Sequence, residues 1–361
     1  MSLPTSAELD AYVGRERTTT DVVTETRARA LAATLDRDPG GLANGSALPA
    51  GWHWIFFNPA VPRSALGPDG HEERGDFLPP MPRSRRMWAG GTLRFPGTLR
   101  IGDVAERLST ITSIVPKEGR SGALVFVTVS HRVTTEAGTV LEEEQNLVYR
   151  LAGNGGGGAD AAPPRGRSQR SEGSGQSEPS ERSQRSQRSV PSERVPRVPT
   201  WTEPFIADEV TLFRFSALTF NGHRIHYDHR YATQVERYPG LVVHGPLVAL
   251  LLVDAGVRHA GHLIGGGAFG RALEARSVFE SGVPPKIASF SYRALAPLFC
   301  NEEFQLCGGE AAGASAAPVG SREAGSRLDA TTLDVTRLWA AHPERGVATE
   351  AELEVHRTGQ D

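Results

Sequence analysis

Hydrophobic positions along the chain switch period twice, and the switches divide it. Residues 6–14 and 21–35 place apolar side chains at helical spacing, and the second run ends in the breakers Asp38, Pro39, Gly40 and Gly41. Trp52, Trp54, Phe56 and Phe57 then form an aromatic patch, which reads as core. From 91 to 151 the pattern becomes that of strands. Leu124 to Val129 is rich in β-branched residues, turns fall at 118–122 and 136–139, and a further apolar run covers 140–151. Helices first and antiparallel strands after predict an α+β half.

The second half repeats this order. A strand and a turn are expected within 205–220, a short helix at 228–237 and a buried helix at 247–260. Strands are expected at 286–296, 303–307, 331–340 and 348–356, with a loop at 308–326. The helix is the most apolar stretch of the chain, yet it is shorter than the roughly 20 residues needed to cross a bilayer.

Between the halves composition changes abruptly. Residues 154–200 are mainly Gly, Ser, Gln, Arg and Pro, and the triplet Ser-Gln-Arg recurs at 168–170, 183–185 and 186–188. Such a stretch buries too little apolar surface to offset its ordering entropy, which predicts a disordered insertion. The expected organisation is therefore an N-terminal domain over 1–153, a linker over 154–200 and a catalytic domain over 201–361. The Arg/Ser/Gln segment leaves open an RNA-binding arm, with an inert spacer as the simpler alternative.

The formal net charge of −3 gives no basic bias toward nucleic acid. Cys300 and Cys307 have neither zinc-ligand spacing nor a disulfide framework, and they suit a reducing compartment. Met1 to Thr5 has no basic start or apolar run, so no signal peptide is expected. A cytoplasmic protein follows as the expectation, with no membrane partner.

Candidate chemistry concentrates in one place. The segment F-S-A-L-T-F-N-G-H-R-I-H-Y-D-H-R-Y-A, Phe215 to Ala232, brings Asn221, His223, His226, Asp228 and His229 together among apolar residues. A second cluster, Y-P-G-L-V-V-H-G-P-L, runs from Tyr238 to Leu247 into the apolar helix. A polar loop, a Gly-Pro break and a helix suit an acid/base site whose reacting carbonyl rests on a helix N-terminus. His226 is the candidate proton carrier, because an imidazole titrates near neutrality; the alternative is a structural histidine. Gly245 is the candidate backbone donor, and Pro246 suits a first helical turn. His223, Asp228 and His229 with His226 could instead hold a metal, but the spacing is loose and no His-Glu-x-x-His is present; no metal is expected. Arg83, Arg85 and Arg86 read either as a solvated basic loop or as an anion site for a carboxylate or phosphate. The N-terminal half shows no acid/base cluster comparable to that of the second half.

These residues resemble the MaoC-type (R)-specific enoyl-thioester hydratases and dehydratases. That family's signature runs roughly F-x-A-L-S-x-D-x-N-P-x-H-x-D-P-x-F/Y-A, followed by I/V-V-H-G-M-L. Phe215, Ala217, Leu218, His226, Asp228, Tyr231 and Ala232 match it, as do Val243, His244, Gly245 and Leu247. The form here is similar to a subgroup containing mitochondrial 3-hydroxyacyl-thioester dehydratases and bacterial mesaconyl-CoA and itaconyl-CoA hydratases. In the N-terminal half P-R-S-R-R-M-W-A-G-G (from Pro82), K-E-G-R-S-G (from Lys117) and E-E-Q-N-L-V-Y-R (from Glu143) resemble the partner domain of the bacterial proteins. The resemblance covers about two-thirds of the chain. It departs at Asn221, where the family has its catalytic aspartate, and at His223 and Arg224, where the family has Asn and Pro.

The resemblance implies a double hot-dog fold: two antiparallel sheets, each wrapped around a central helix. It also implies reversible hydration of an α,β-unsaturated acyl-CoA, with a branched dicarboxylic acyl group such as mesaconyl or itaconyl as the expected substrate. A general 3-hydroxyacyl-CoA or acyl-carrier-protein dehydratase and a non-catalytic thioester-binding scaffold are the alternatives. His226, Asn221 and Gly245 are the expected catalytic residues. His223, Asp228, His244, Arg85 and Arg86 are the expected substrate contacts. No cofactor is expected beyond the CoA of the substrate, and a homodimer is compatible with the family.

Overall fold

The computed structural model describes residues 4–81, 84–119, 122–151, 198–264, 286–310 and 333–356. The segment expected to be a disordered insertion lies outside them, apart from its last three residues, as do most of the expected 308–326 loop and Arg83.

The first half contributes α1 (Ser6–Asp10), β1 (Glu16–Val22), α2 (Glu25–Thr34), β2 (Ser84–Arg94), β3 (Val104–Gly119), β4 (Gly122–Thr135) and β5 (Gly138–Leu151). The second contributes β6 (Trp201–Ile206), α3 (Glu209–Leu218), α4 (Gly245–Ile264), β7 (Ile287–Ala294), β8 (Glu303–Glu310), β9 (Leu333–His342) and β10 (Gly346–His356). The ten strands of the described residues form one antiparallel sheet in the order β1-β3-β4-β5-β2-β7-β10-β9-β8-β6. Counted within each half, both follow the same order, 1-3-4-5-2, and in both a helix follows the first strand. The fold is a double hot-dog whose half-sheets meet edge to edge at β2 and β7.

Gly90 pairs with Arg293, Gly91 with Tyr292 and Leu93 with Phe290. At Gly90, with φ of 156°, a Cβ would lie 2.4 Å from the Tyr292 carbonyl oxygen across the seam, so glycine lets the β2 and β7 edges approach. The register of β2 against β5 shifts between Trp88 and Gly90. Such a bulge re-aims the neighbouring side chains.

Helix α4 is apolar all round because it is the centre of its half. Leu247 to Val253 are all buried, each large side chain contributing about 2 kcal/mol by leaving water. Its polar end is anchored: Arg37 bonds Asp254 from the first half, and Arg258 and His259 both bond Glu203 of β6. Among the described residues no helix is long and apolar enough to cross a membrane.

Local differences from the sequence reading have local causes. The expected helix at 21–35 begins only at Glu25, because Asp21 and Val22 end β1, whose polar sequence Glu-Arg-Thr-Thr-Thr-Asp carries no apolar alternation. Residues 6–14 form a helix only to Asp10. After the strand Trp201–Ile206, α3 replaces the expected turn; Asp208 caps it by accepting the Thr211 N–H at 2.7 Å. Within 228–237 the helical turns run over 229–235, ending in the π-turn Tyr231–Val235, and α4 extends the expected helix at both ends.

Candidate active site

The two clusters singled out in the sequence are zipped together by backbone bonds. Asn221 follows α3; its N–H reaches the Ser216 carbonyl at 2.9 Å, and its side-chain oxygen accepts the His223 N–H at 3.0 Å. A tight turn over Arg224–His226 comes next. The Val242 N–H then donates to the Ile225 carbonyl at 3.0 Å, and His226 Nδ1 lies 2.7 Å from the Val242 carbonyl oxygen. A carbonyl only accepts, so Nδ1 carries the hydrogen and Nε2 of the neutral ring carries the lone pair. Burial pushes the His226 imidazole down to about 4, although its bond to Val242 pulls the other way. At neutral pH the ring is an uncharged base.

His244 packs flat on His226, with ring centroids 3.7 Å apart and planes 18° from parallel. Its Nε2 shares a 2.9 Å hydrogen bond with the Ser216 hydroxyl, and its ring, wholly buried, is held well below the usual histidine range by burial. His244 therefore shapes the site. It immediately precedes Gly245 and Pro246, the first residues of α4, which line the cavity. First-turn N–H groups have no intrahelical acceptor. A Cβ on Gly245 would meet the Trp88 ring at 3.0 Å, so a first-half indole closes over the start of a second-half helix.

His223 stands edge-on to His226, with centroids 5.4 Å apart. Burial, then the neighbouring His71, holds its ring below the ordinary histidine range. His71 itself belongs to the first half. Its ring centroid lies 4.1 Å from that of His223, and its Nδ1 lies 3.2 Å from Asp69 Oδ2. Burial opposes ionisation of Asp69, but His71 and Arg74 hold its carboxyl well below the usual range. Asp69, His71 and His223 place one donor atom each within 4.8 Å of one another, a spacing a metal ion could bridge. However, Asp69 Oδ2 is already engaged by Arg74 and His71, and Arg86 adds positive charge beside His71. The set suits an acid/base cluster better than a cation site.

Several expected contacts fall elsewhere. Asp228 does not line the cavity: its Oδ2 takes Arg224 at 2.7 Å and its Oδ1 accepts the Tyr231 N–H at 2.9 Å. Both oxygens hold the loop. His229 is exposed, so the residues 223, 226, 228 and 229 are not gathered around one point. Arg85 and Arg86 occupy opposite faces of β2. Arg85 is committed to Glu236, with Nε 2.5 Å from its carboxylate and Nη2 bonded to its carbonyl oxygen. Arg86 lines the cavity beside His71 and His223, both of whose rings feel its charge, and it has no carboxylate partner among the described residues.

The first half also carries a buried polar cluster, contrary to the sequence reading. The Glu143 carboxylate accepts the Trp54 Nε1–H at 3.0 Å and lies 3.2 Å from His53 Nε2. Burial opposes its ionisation, but His53, His131 and Trp54 hold it down to about 2. Opposite Glu143 across β4 and β5 stands His131, bonded to Ser109 at 2.8 Å and pushed down to about 4 by burial. The available signal was weak: His131 and Glu143 take buried positions, but each has polar neighbours in its own strand, Ser130 and Arg132 for the one and Glu142 and Glu144 for the other. Nearby, Trp54, Trp88 and Tyr292 form an aromatic wall; among the described residues Trp88 Nε1 and the Tyr292 hydroxyl are buried without hydrogen-bond partners.

The chain matches the family described as hydroxyacyl-thioester dehydratase type 2 over residues 51–183 and 174–300. It is 38% identical over 302 residues to the mesaconyl-C(4)-CoA hydratase of Chloroflexus aurantiacus, covering 83% of this chain and 89% of that one. It is 26% identical over 288 residues to the mitochondrial hydroxyacyl-thioester dehydratase type 2 of Schizosaccharomyces pombe, covering 73% and 79% respectively. Among solved structures, a MaoC-like dehydratase superposes with a TM-score of 0.59 at 15% identity, covering 97% of this chain and all of the other. A MaoC-like dehydratase from Phytophthora capsici gives 0.53 at 14% identity, covering 99% and 100%.

Proposed function

We propose a substrate and a reaction path for this chain, which belongs to the hydroxyacyl-thioester dehydratase type 2 family and is a hydro-lyase of acyl-CoA thioesters. The proposed substrate is a short branched dicarboxylic enoyl-CoA of the mesaconyl type. The observation that carries this reading is Arg86, a guanidinium in the cavity wall beside His71 and His223 with no carboxylate partner among the described residues. In a mesaconyl-C4 thioester the free carboxylate is attached to the carbon that receives water. An anion site must then sit beside the proton-transfer groups, and arginine binds a carboxylate in two-point geometry.

On this reading the thioester oxygen rests on the N–H of Gly245, where the helix dipole favours developing negative charge. Water oxygen bonds to the β-carbon, the π electrons move toward the α-carbon and thioester oxygen, and a proton is returned to the α-carbon. His226 is the acid/base group, because its Nε2 keeps a lone pair in a water-poor site. Asn221 cannot take a proton; its side chain, tied to the His223 N–H, orients the loop and the water. Trp88 roofs the thioester.

Following the enoyl-thioester absorbance tests this. Purified protein should hydrate mesaconyl-C4-CoA faster than crotonyl-CoA, and His226→Ala should abolish both. Equal rates on the two substrates would reduce the assignment to a general enoyl-CoA hydratase, and crotonyl-CoA alone would exclude the dicarboxylic substrate.

A further inference from the structure

Adding water to an enoyl thioester needs two proton movements at two atoms. A group must take a proton from water at the β-carbon, and a group must deliver one to the α-carbon. His226 meets one requirement. Asn221, the polar side chain that leads its loop, meets neither, since an amide neither gains nor yields a proton in this range.

Four imidazoles stand in a row across the site. From the start of α4 they run His244, His226, His223, His71, with successive centroid separations of 3.7, 5.4 and 4.1 Å. The first is tied to Ser216 and the second is oriented by Val242. The last is oriented by a carboxylate: Asp69 accepts from His71 Nδ1, which leaves His71 Nε2 with the lone pair. That is the arrangement by which a carboxylate fixes a histidine's tautomer and stabilises its charged form.

The loop that carries this pair is built to dock there. The Arg224 N–H donates to the Asp69 carbonyl at 2.9 Å, and Arg224 Nη1 reaches the Pro68 carbonyl at 3.1 Å. Gly70 lies so close to Gly222 that a Cβ would stand 1.9 Å from the Gly222 carbonyl oxygen. These contacts lock the loop of the first half onto the histidine loop of the second, and none of them uses the imidazole.

We propose that His71, positioned by Asp69, is the second proton-transfer group of this site, acting on water at the β-carbon while His226 serves the α-carbon. The order of the row supports this division. His226 packs against the residue before Gly245, where the thioester oxygen is placed, whereas His71 lies at the far end beside Arg86, where the β-carbon carboxylate is placed. In the hydration direction the neutral His71 takes the water proton at Nε2 as the C–O bond forms and the enolate develops, and His226, once that proton has reached it, delivers it to the α-carbon. His223, between the two rings, lets the proton return from His71 to His226 and closes the cycle. The assignment rests on the hydratase reading above.

The test measures hydration of crotonyl-CoA and mesaconyl-C4-CoA together with α-proton exchange of the 3-hydroxyacyl product in D2O. Wild type, His71→Ala, His71→Gln, Asp69→Asn and His226→Gln are compared, with Tm as a folding control. His71→Gln should lose hydration by about 10²- to 10⁴-fold in kcat while keeping α-exchange. His226→Gln should lose both. Asp69→Asn should lower kcat, shift its pH profile and leave KM nearly unchanged. Added imidazole should restore part of the rate of His71→Ala and none of that of His226→Gln. If wild type hydrates and folded His71→Gln does so at the same rate, His71 is structural and the proposal falls alone. If folded wild type hydrates nothing, the hydratase reading falls and takes the proposal with it.

Discussion

His226 and Val242 are sixteen residues apart in the chain, and the 2.7 Å bond from the imidazole Nδ1 to the Val242 carbonyl settles which ring nitrogen faces the cavity. The same bond ties the histidine loop to the segment that opens α4, so the imidazole proposed as the proton carrier is held directly against the start of that helix. Preorganisation of this kind gives a general base its effect without a reorganisation cost at the moment of reaction.

Replacing His226 with Gln should therefore lower kcat by about 10²- to 10⁴-fold with little change in KM. Because burial pushes the His226 ring down to about 4, kcat/KM of the wild type should hold its plateau well below pH 6. A pH–rate profile from 4 to 8 checks this. An acid limb centred near 6.5 would show an exposed, ordinary histidine instead.

Arg86 should control substrate choice. Arg86→Gln should reduce kcat/KM for a dicarboxylic enoyl-CoA by about ten- to a hundredfold, the usual cost of a lost charged hydrogen bond, and should leave crotonyl-CoA nearly unaffected. Arg85→Gln should not show this selectivity, since Arg85 is bound to Glu236. Steady-state kinetics on both substrates decides it. Equal losses would assign Arg86 to the fold.

The docking of the two loops can be separated from backbone strain. Gly14 and Gly70 have similar positive φ angles, 84° and 88°, but a Cβ on Gly14 meets nothing within 4 Å. Gly14→Ala should cost about 1 kcal/mol from conformation alone. Gly70→Ala adds a clash with the Gly222 carbonyl, should cost about 1–3 kcal/mol more, and should lower kcat by moving the loops apart. Denaturant unfolding of the two variants, with activity, tests the difference; equal stabilities would show that the loop yields freely.

Stability should fall as the solution is acidified from about pH 6.5 toward 4. His71, His131 and His226 are each pushed down to about 4, chiefly by burial, so in this window the unfolded chain binds protons that the folded one does not. The sign follows: stability present above the unfolded value is lost as pH falls through the folded values. Glu143, held down to about 2, extends the loss below pH 4.5. Thermal unfolding across pH 4 to 8 should show Tm dropping along this range, and a Tm independent of pH there would contradict the buried neutral rings.

The sequence by itself determined the elements whose signal is local. Helical spacing located α2 and α4, apolar and β-branched runs located β4, β5 and β7 to β10, and the spacing from Phe215 to Leu247 carried the family resemblance and the candidates His226 and Gly245. The strand β1 was not legible, since Glu16 to Val22 alternates polar with polar and its pairing with β3 is what makes it a strand. Asp228 and Arg85 satisfied a pattern, but the tertiary structure uses their charges on Arg224 and Glu236. The contributions of the first half were decided only by tertiary structure. Asp69 and His71 sit in a turn with no periodicity, and Trp88 and Arg86 in a strand. They reach the site because β2 pairs with β7 and because Gly70 packs on Gly222. Periodicity records which face of its own element a residue takes. Which distant element that face meets depends on edge pairing and close packing between segments far apart in the chain, as Gly90 is from Arg293 and Gly70 from Gly222, and no local pattern encodes that.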